Sequence, residues 1–128
     1  MAFIDQFNEE HKRLFFSAAE SASLPGGQYV IRRGEPGGDV YLLESGTLEV
    51  VDSRGMPEVI LAVLQAGTVV GEMAFVNDSP RSADVRTVGD CKVMRWVRDD
   101  LRLLLNRNPS FAARFFESVA KLASDRIR

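Results

Sequence analysis

Apolar and polar positions change period twice along this chain. Near the start, Leu14, Phe15 and Ala18 fall on one face at helical spacing. Asn8-Glu9-Glu10 precedes them, an N-cap residue followed by acids in the first turn, so a helix is predicted over about 8–20. From Ala22 turn signals recur every 8–12 residues or so: Pro25-Gly26-Gly27, the run 33–38, Glu44-Ser45-Gly46, the run 53–57, Ala66-Gly67, the run 77–80, and Val88-Gly89-Asp90. Between them lie β-rich runs, QYVIR, VYLLE, TLEVV, EVILAVL, TVVG, ADVRTV and CKVMRWV. In TLEVV, Leu48 and Val50 alternate with Thr47 and Glu49, as in a half-buried strand.

After Trp96 the helical period returns. Asp99 and Asp100 mark a helix start, and Asn108-Pro109 ends that helix. A last helix follows, with Ser110 as its expected cap. It carries two apolar rows, Phe111-Phe115-Val119-Leu122 and Ala112-Phe116-Ala120-Ala123-Ile127, a stripe wider than one contact needs. The layout predicts a mainly β fold: one helix, about eight strands over about 22–97, then two helices over about 98–128. This is an antiparallel, jelly-roll-like β-roll with helices gathered at its ends.

The chain has 128 residues, room for one domain with a real core and too few for two, so a single domain over 1–128 is expected. No apolar run nears the ~18 residues of a membrane span. The acidic, amphipathic start lacks the features of a signal peptide, which implies a cytoplasmic protein. Cys91 is the single cysteine and lies in an alternating run, so it reads as a small core residue rather than half of a disulfide. His11 is the single histidine, too few for an imidazole metal centre, and no metal is expected. No nucleophile–base pair stands out, so no catalytic residues and no enzyme are expected. The net charge of −2 gives no general attraction to nucleic acid. The stretch from Arg95 onward is net basic, which reads as a solvated helix face.

One stretch concentrates chemistry: GEMAFVNDSPRSADVRT, from Gly71 to Thr87. A glycine at a strand end lets backbone approach a ligand closely. Residues 72–76 suffice for one helical turn, whose free N–H groups favour an anion. Pro80 closes the loop and Arg81 follows at once, a planar fork able to grip two phosphate oxygens. Ser82 adds a hydroxyl. Glu72 would repel a phosphate, and makes sense only if aimed at a donor such as a sugar hydroxyl. One sugar-phosphate ligand accounts for all of these. The competing reading is that Glu72 and Arg81 form an exposed ion pair worth about 0–1 kcal/mol, with Gly71 and Pro80 as turn residues.

GEMAFVNDSPRSADV resembles the phosphate-binding cassette of cyclic nucleotide-binding domains, the eight-stranded rolls of catabolite activator proteins, cyclic-nucleotide-dependent kinases and gated channels. The stretch from Gly27 to Val51 resembles that family's first strands, LQAGTVVGEM its approach to the cassette, and LRLLLNRNPSFAARF its helical end. The similarity runs in order from about Ala22 to Ala123. It implies that Arg81 pairs with a cyclic phosphate and that Glu72 accepts a ribose 2′-hydroxyl. It also implies that Gly71, Met73 and Ala74 offer backbone, and that Ser82 donates to the phosphate or reaches toward the base. The ligand implied is cyclic AMP or cyclic GMP. Serine at 82 lacks threonine's methyl and can turn wholly to the phosphate, which favours cyclic AMP. A lid over the base, found in the family's last helix, would lie near Asp125 and Arg126.

The sequence also departs from the family. Its first helical segment is short. Asp84 stands where many members carry an uncharged residue: either an acid there weakens a bound phosphate, or strand alternation turns it to solvent if Ala83 and Val85 face inward. No helix-turn-helix follows Arg128, so no DNA-binding element is expected. Cys91 and His11 do not suit the iron–sulfur or haem-sensing relatives. The reading is a regulatory module that signals through movement of its last helix. A protein partner, a fused effector domain or a homodimer through that helix would receive the signal. The alternative is a roll that serves as an interaction domain and binds no nucleotide.

Overall fold

The computed structural model describes residues 3–127, with side chains through 125. After a short 3-10 turn, Phe3–Gln6, come α1 (Glu9–Ser17), β1 (Glu20–Leu24), β2 (Tyr29–Ile31), β3 (Val40–Asp52), β4 (Val59–Leu64) and β5 (Val69–Val70). Then follow α2 (Glu72–Asn77), β6 (Asp84–Trp96), α3 (Arg98–Arg107) and α4 (Pro109–Ile127). The fold is mainly β and antiparallel, with helices at its ends. The strand order is β1-β6-β3-β4, with β2 also on β6 and β5 also on β3.

Six strands form among the described residues rather than eight. VYLLE and TLEVV belong to one 13-residue strand, β3, and ADVRTV and CKVMRWV to another, β6. The expected turns at Gly46 and Gly89 are bends inside these strands. Register slips there, from Leu43↔Val93 through Ser45↔Lys92 to Thr47↔Val88. Gly46 sits at φ +100°, and a Cβ on it would stand 2.7 Å from Asp90 O and from Cys91 Sγ. A side chain is excluded, so the sheet can fold over at that point.

β1 was not expected. Its sequence, ESASL, alternates only weakly, through Ala22 and Leu24, and holds no β-branched or aromatic residue; it pairs with β6 from Glu20↔Arg95 to Leu24↔Cys91. Consequently α1 ends at Ser17, short of the predicted limit. Its start is as expected, with Asn8 Oδ1 accepting from His11 N–H at 2.8 Å. Ser110 does not cap α4: the helix begins at Pro109, which suits a first helical position because it has no N–H to satisfy.

Two clusters make the core. Inside the roll lie Ile31, Leu43, Leu48, Val70, Val85, Cys91 and Val93. Cys91 is buried there, as its alternating run predicts. Between roll and helices lies an aromatic cluster. Phe15 of α1 stacks on Trp96 at 3.9 Å, and Trp96 Nε1 donates to Phe15 O. Phe3, Phe7, Phe111 and Phe115 complete it.

Asp84 does not reach solvent. Alternation does turn it away from its neighbour Val85, but onto a buried nest where it is 4% exposed. Its carboxylate accepts from Arg33 N–H at 2.7 Å and from Ser53 Oγ at 2.6 Å. The Arg33 N–H and the Ser53 hydroxyl hold its pKa below the ordinary carboxylate value, against the opposing effect of burial. A depressed folded pKa means stability present above the unfolded value and lost as pH falls through the folded one. Thermal unfolding midpoints should therefore drop as pH falls through and below the ordinary carboxylate range. Asp84→Asn should cost about 1–3 kcal/mol at neutral pH and flatten part of that drop. An unchanged slope would show that the nest is not linked to folding.

Candidate functional site

Gly71 joins β5 to α2 as the residue before the helix. Its φ of +87° is the left-handed region, and no side chain caps the helix. A Cβ on Gly71 would lie 2.6 Å from Asp39 O and 2.7 Å from Arg81 Nη1. The glycine thus allows three chain segments to converge. Its own carbonyl accepts from Phe75 N–H at 3.3 Å and from Arg81 Nη1 at 3.1 Å.

Arg81 is reached from the other side. After α2 the chain turns at Asp78, φ 52°, and Arg81 locks onto the loop before β3. Its N–H donates to Glu35 O at 3.1 Å, and its carbonyl accepts from Gly34 N–H at 2.8 Å. The residue is only 8% exposed, and its Nη2 donates to Asp39 O at 2.7 Å. Gly37 leaves room beside it, since a Cβ there would lie 3.3 Å from Arg81 Nε. Burial pulls the Arg81 pKa down, while Tyr41, Asp39, Glu72 and Glu35 oppose the shift. Arginine nevertheless stays a cation in proteins.

Glu72, the first residue of α2, is 2% exposed. The exposed ion pair that the spacing allowed is therefore ruled out, because both partners are buried. Gly71, Glu72, Met73, Ala74, Arg81 and Ser82 all line one cavity of about 390 Å³. Ser82 is exposed at its rim, and Ala74 is buried while Met73 is partly open. Ile31, Val50, Val70 and Val85 form an apolar wall, and Asn77 and Ser79 join the polar end. A volume in the ordinary ligand range with one polar end and one apolar wall suits a ligand of the same division. A hollow of about 450 Å³ lies by Ser23, Ser45 and Asp90–Lys92, but gathers none of these residues. The chemistry of the smaller one decides between them.

Asp39 and Glu35, which orient Arg81, were not singled out by sequence. They act through main-chain carbonyls, and such roles leave no residue-type signal. Of the expected lid, Asp125 is exposed on α4, and the Arg126 side chain lies outside the described residues. Among the described residues, no group of three or more His, Cys, Asp or Glu is placed to hold a metal. No helix in that range is long and apolar enough to cross a membrane.

Residues 22–108 match the family model described as cyclic nucleotide-binding domain. A cAMP-dependent protein kinase regulatory subunit from Emericella nidulans is 38% identical over 88 residues, covering 69% of this chain and 21% of that protein. The catabolite activator protein of Thermus thermophilus superposes with a TM-score of 0.82 at 28% identity, over 98% of this chain and 58% of that one. The regulatory domain of Toxoplasma gondii PKA, solved with cAMP, gives 0.78 at 27% identity, over 96% and 45%. The chain thus spans about a fifth of the length of the curated relative it matches.

Gly71→Ala should destabilise the protein by about 1–2 kcal/mol from its left-handed φ alone. It should also displace Arg81, because the new Cβ meets Nη1. Urea unfolding measures the first effect. Wild-type stability in the variant would mean that the 71–81 closure is not under this constraint.

Proposed function

The chain belongs to the cyclic nucleotide-binding domain family, and we propose that it is a regulatory module that binds a 3′,5′-cyclic nucleotide, with cyclic AMP favoured over cyclic GMP. The observation that carries the reading is the buried Arg81 guanidinium, oriented by two neutral carbonyls at the polar end of the cavity. Arg81 holds the cyclic phosphate, and Glu72 accepts the ribose 2′-hydroxyl. Gly71, Met73 and Ala74 supply backbone, and Ser82 serves the phosphate. The base lies along Ile31, Val50 and Val85. The module is a receptor and not a catalyst, it works in the cytoplasm, and residues 1–128 form one domain.

The interaction-domain reading draws on β4, where Val59, Ile60, Leu61 and Val63 are exposed. That strand does not account for a buried cation at the end of a cavity, so ligand binding is preferred.

Output is proposed to run through α4. Phe75 of α2 meets Phe115 of α4 edge-on at 5.8 Å, and Arg102 of α3 donates to Phe75 O at 3.0 Å. The first apolar row of α4 packs inward through these contacts. The second does so only in part: Ala112 packs against the core and Ala123 is half-buried, but Phe116 is 45% exposed and Ala120 is exposed, while the Ile127 side chain lies outside the described residues. A partner protein, a fused effector or a second copy of this chain covers that row. Ligand that tightens α2 shifts the helix between two states by its differential affinity for them.

Calorimetry should show binding of cyclic AMP, at least about tenfold weakening in folded Arg81→Ala, and weaker binding of 2′-deoxy cyclic AMP. Glu72→Ala should remove most of the deoxy penalty. Unchanged affinity in folded Arg81→Ala would sink the assignment, and a tenfold preference for cyclic GMP would overturn the choice of base.

Hydrogen exchange should show greater protection of amides from Phe116 to Ile127 when cyclic AMP saturates the cavity. No change there would mean that α4 does not carry the signal.

A further inference from the structure

The apolar floor of the cavity is one cross-strand row. Val85 of β6 pairs with Ile31 of β2 on one side and with Val50 of β3 on the other, and all three line the cavity. Both flanking strands are weakly anchored there. β2 has 3 residues, and its register slips between Tyr29 and Ile31. β3 ends at Asp52, just beyond Val50. Strand ends open before strand centres do, so pairing alone leaves this row loose. Asp84, the first residue of β6, supplies a further tie. Its Oδ1 accepts from the N–H of Arg33, just past β2, at 2.7 Å, and its Oδ2 from the hydroxyl of Ser53, just past β3, at 2.6 Å. Arg32 Nε stands 3.9 Å from the same Oδ1. We propose that Asp84 is a positioning residue for the ligand's base. It pins the chain beyond β2 and beyond β3 to the start of β6, and so sets the spacing of Ile31, Val85 and Val50. The inference rests on reading the cavity as the nucleotide site, with the base along these three residues.

Three features support it. Asp84 does not line the cavity, whereas its neighbours Ala83 and Val85 do, so it acts through the floor and not on the ligand. Secondly, a carboxylate offers one oxygen to each of the two donors, and both bonds are charge-assisted. β2 and β3 lie on opposite sides of β6 and do not pair with each other, so a group on β6 is the one placed to hold both. Thirdly, the turn that Asp84 holds is also tied to the polar end of the cavity. Gly34 N–H donates to Arg81 O at 2.8 Å, and Arg81 N–H donates to Glu35 O at 3.1 Å. Floor and guanidinium are therefore set on one turn before ligand arrives, which lowers the ordering cost of binding.

The test compares two ligands by calorimetry: cyclic AMP, and methyl riboside 3′,5′-cyclic phosphate, which keeps the sugar and the phosphate and has no base. Asp84→Ala should weaken cyclic AMP about tenfold, the effect of removing charge-assisted hydrogen bonds. It should weaken the base-free ligand less than about twofold, because the floor is not used there. Arg81→Ala, which removes the grip on the phosphate, should weaken both alike. Equal penalties for the two ligands in Asp84→Ala, or none in the folded variant, would mean that the nest only supports the fold, and would overturn the proposal. A second readout needs no ligand. The Arg33 amide should exchange about tenfold faster in Asp84→Ala than in wild type, and an unchanged rate would overturn the tie itself. If Asp84→Ala does not fold, Ser53→Ala decides, because it removes one bond at an exposed residue. A loss of about threefold for cyclic AMP with none for the base-free ligand supports the proposal, and equal or absent losses overturn it. If wild type binds neither ligand, the nucleotide reading fails and the role toward a base fails with it, whatever the Arg33 amide does.

Discussion

Burying a guanidinium is costly unless its donors are met, and the arrangement around Arg81 follows from that requirement. Two donors go to main-chain carbonyls, those of Gly71 and Asp39. Neutral acceptors satisfy hydrogen bonds without cancelling the charge. The Asp39 carboxylate spends its charge on Arg95 and on the first N–H of α3 instead. The cation is held in position by acceptors that leave its charge uncancelled. Gly71 and Gly37 belong to the same requirement, because a Cβ at either would crowd the guanidinium.

How much of this was legible depends on whether a role belongs to a side chain or to the backbone. Glu72, Arg81 and Ser82 were visible because their side-chain chemistry is unusual for a tight loop, and the cavity gathers them. Asp39 and Glu35 were not, because what they offer Arg81 is a carbonyl that any residue carries. The same division explains the strands. Leu48 and Val50 showed their strand through side-chain alternation. Gly46 and Gly89 looked like ends of strands, since a glycine marks a bend and a turn alike, and only the cross-strand register distinguishes them. β1 forms because β6 offers it a free edge, a tertiary cause that ESASL does not encode. Asp84 shows alternation read correctly and burial read wrongly. The turn away from Val85 was foreseeable, but the Arg33 N–H and the Ser53 hydroxyl come from distant parts of the chain.

The aromatic cluster gives the short cassette helix its influence. With six residues, α2 has little intrinsic stability, and its position is set by what holds Phe75. Phe75 is buried, touches Phe115 of α4, and has Arg102 of α3 on both its carbonyl and its ring. A displacement of α2 cannot be absorbed locally, because close-packed rings do not deform continuously. The position of α2 is therefore tied to those of α3 and α4.

The two apolar rows of α4 have different fates. Phe111, Phe115 and Val119 are buried and tie the helix to the domain. Phe116 lies one position further round, near-perpendicular to the Phe115 ring at 5.4 Å, and remains open. Phe115 thus packs against both the Phe75 ring of α2 and the half-exposed Phe116 ring. The width of the stripe, which the sequence shows but does not explain, follows from two environments on one helix: Phe111, Phe115 and Val119 pack on the domain, and Phe116 stays exposed beside them.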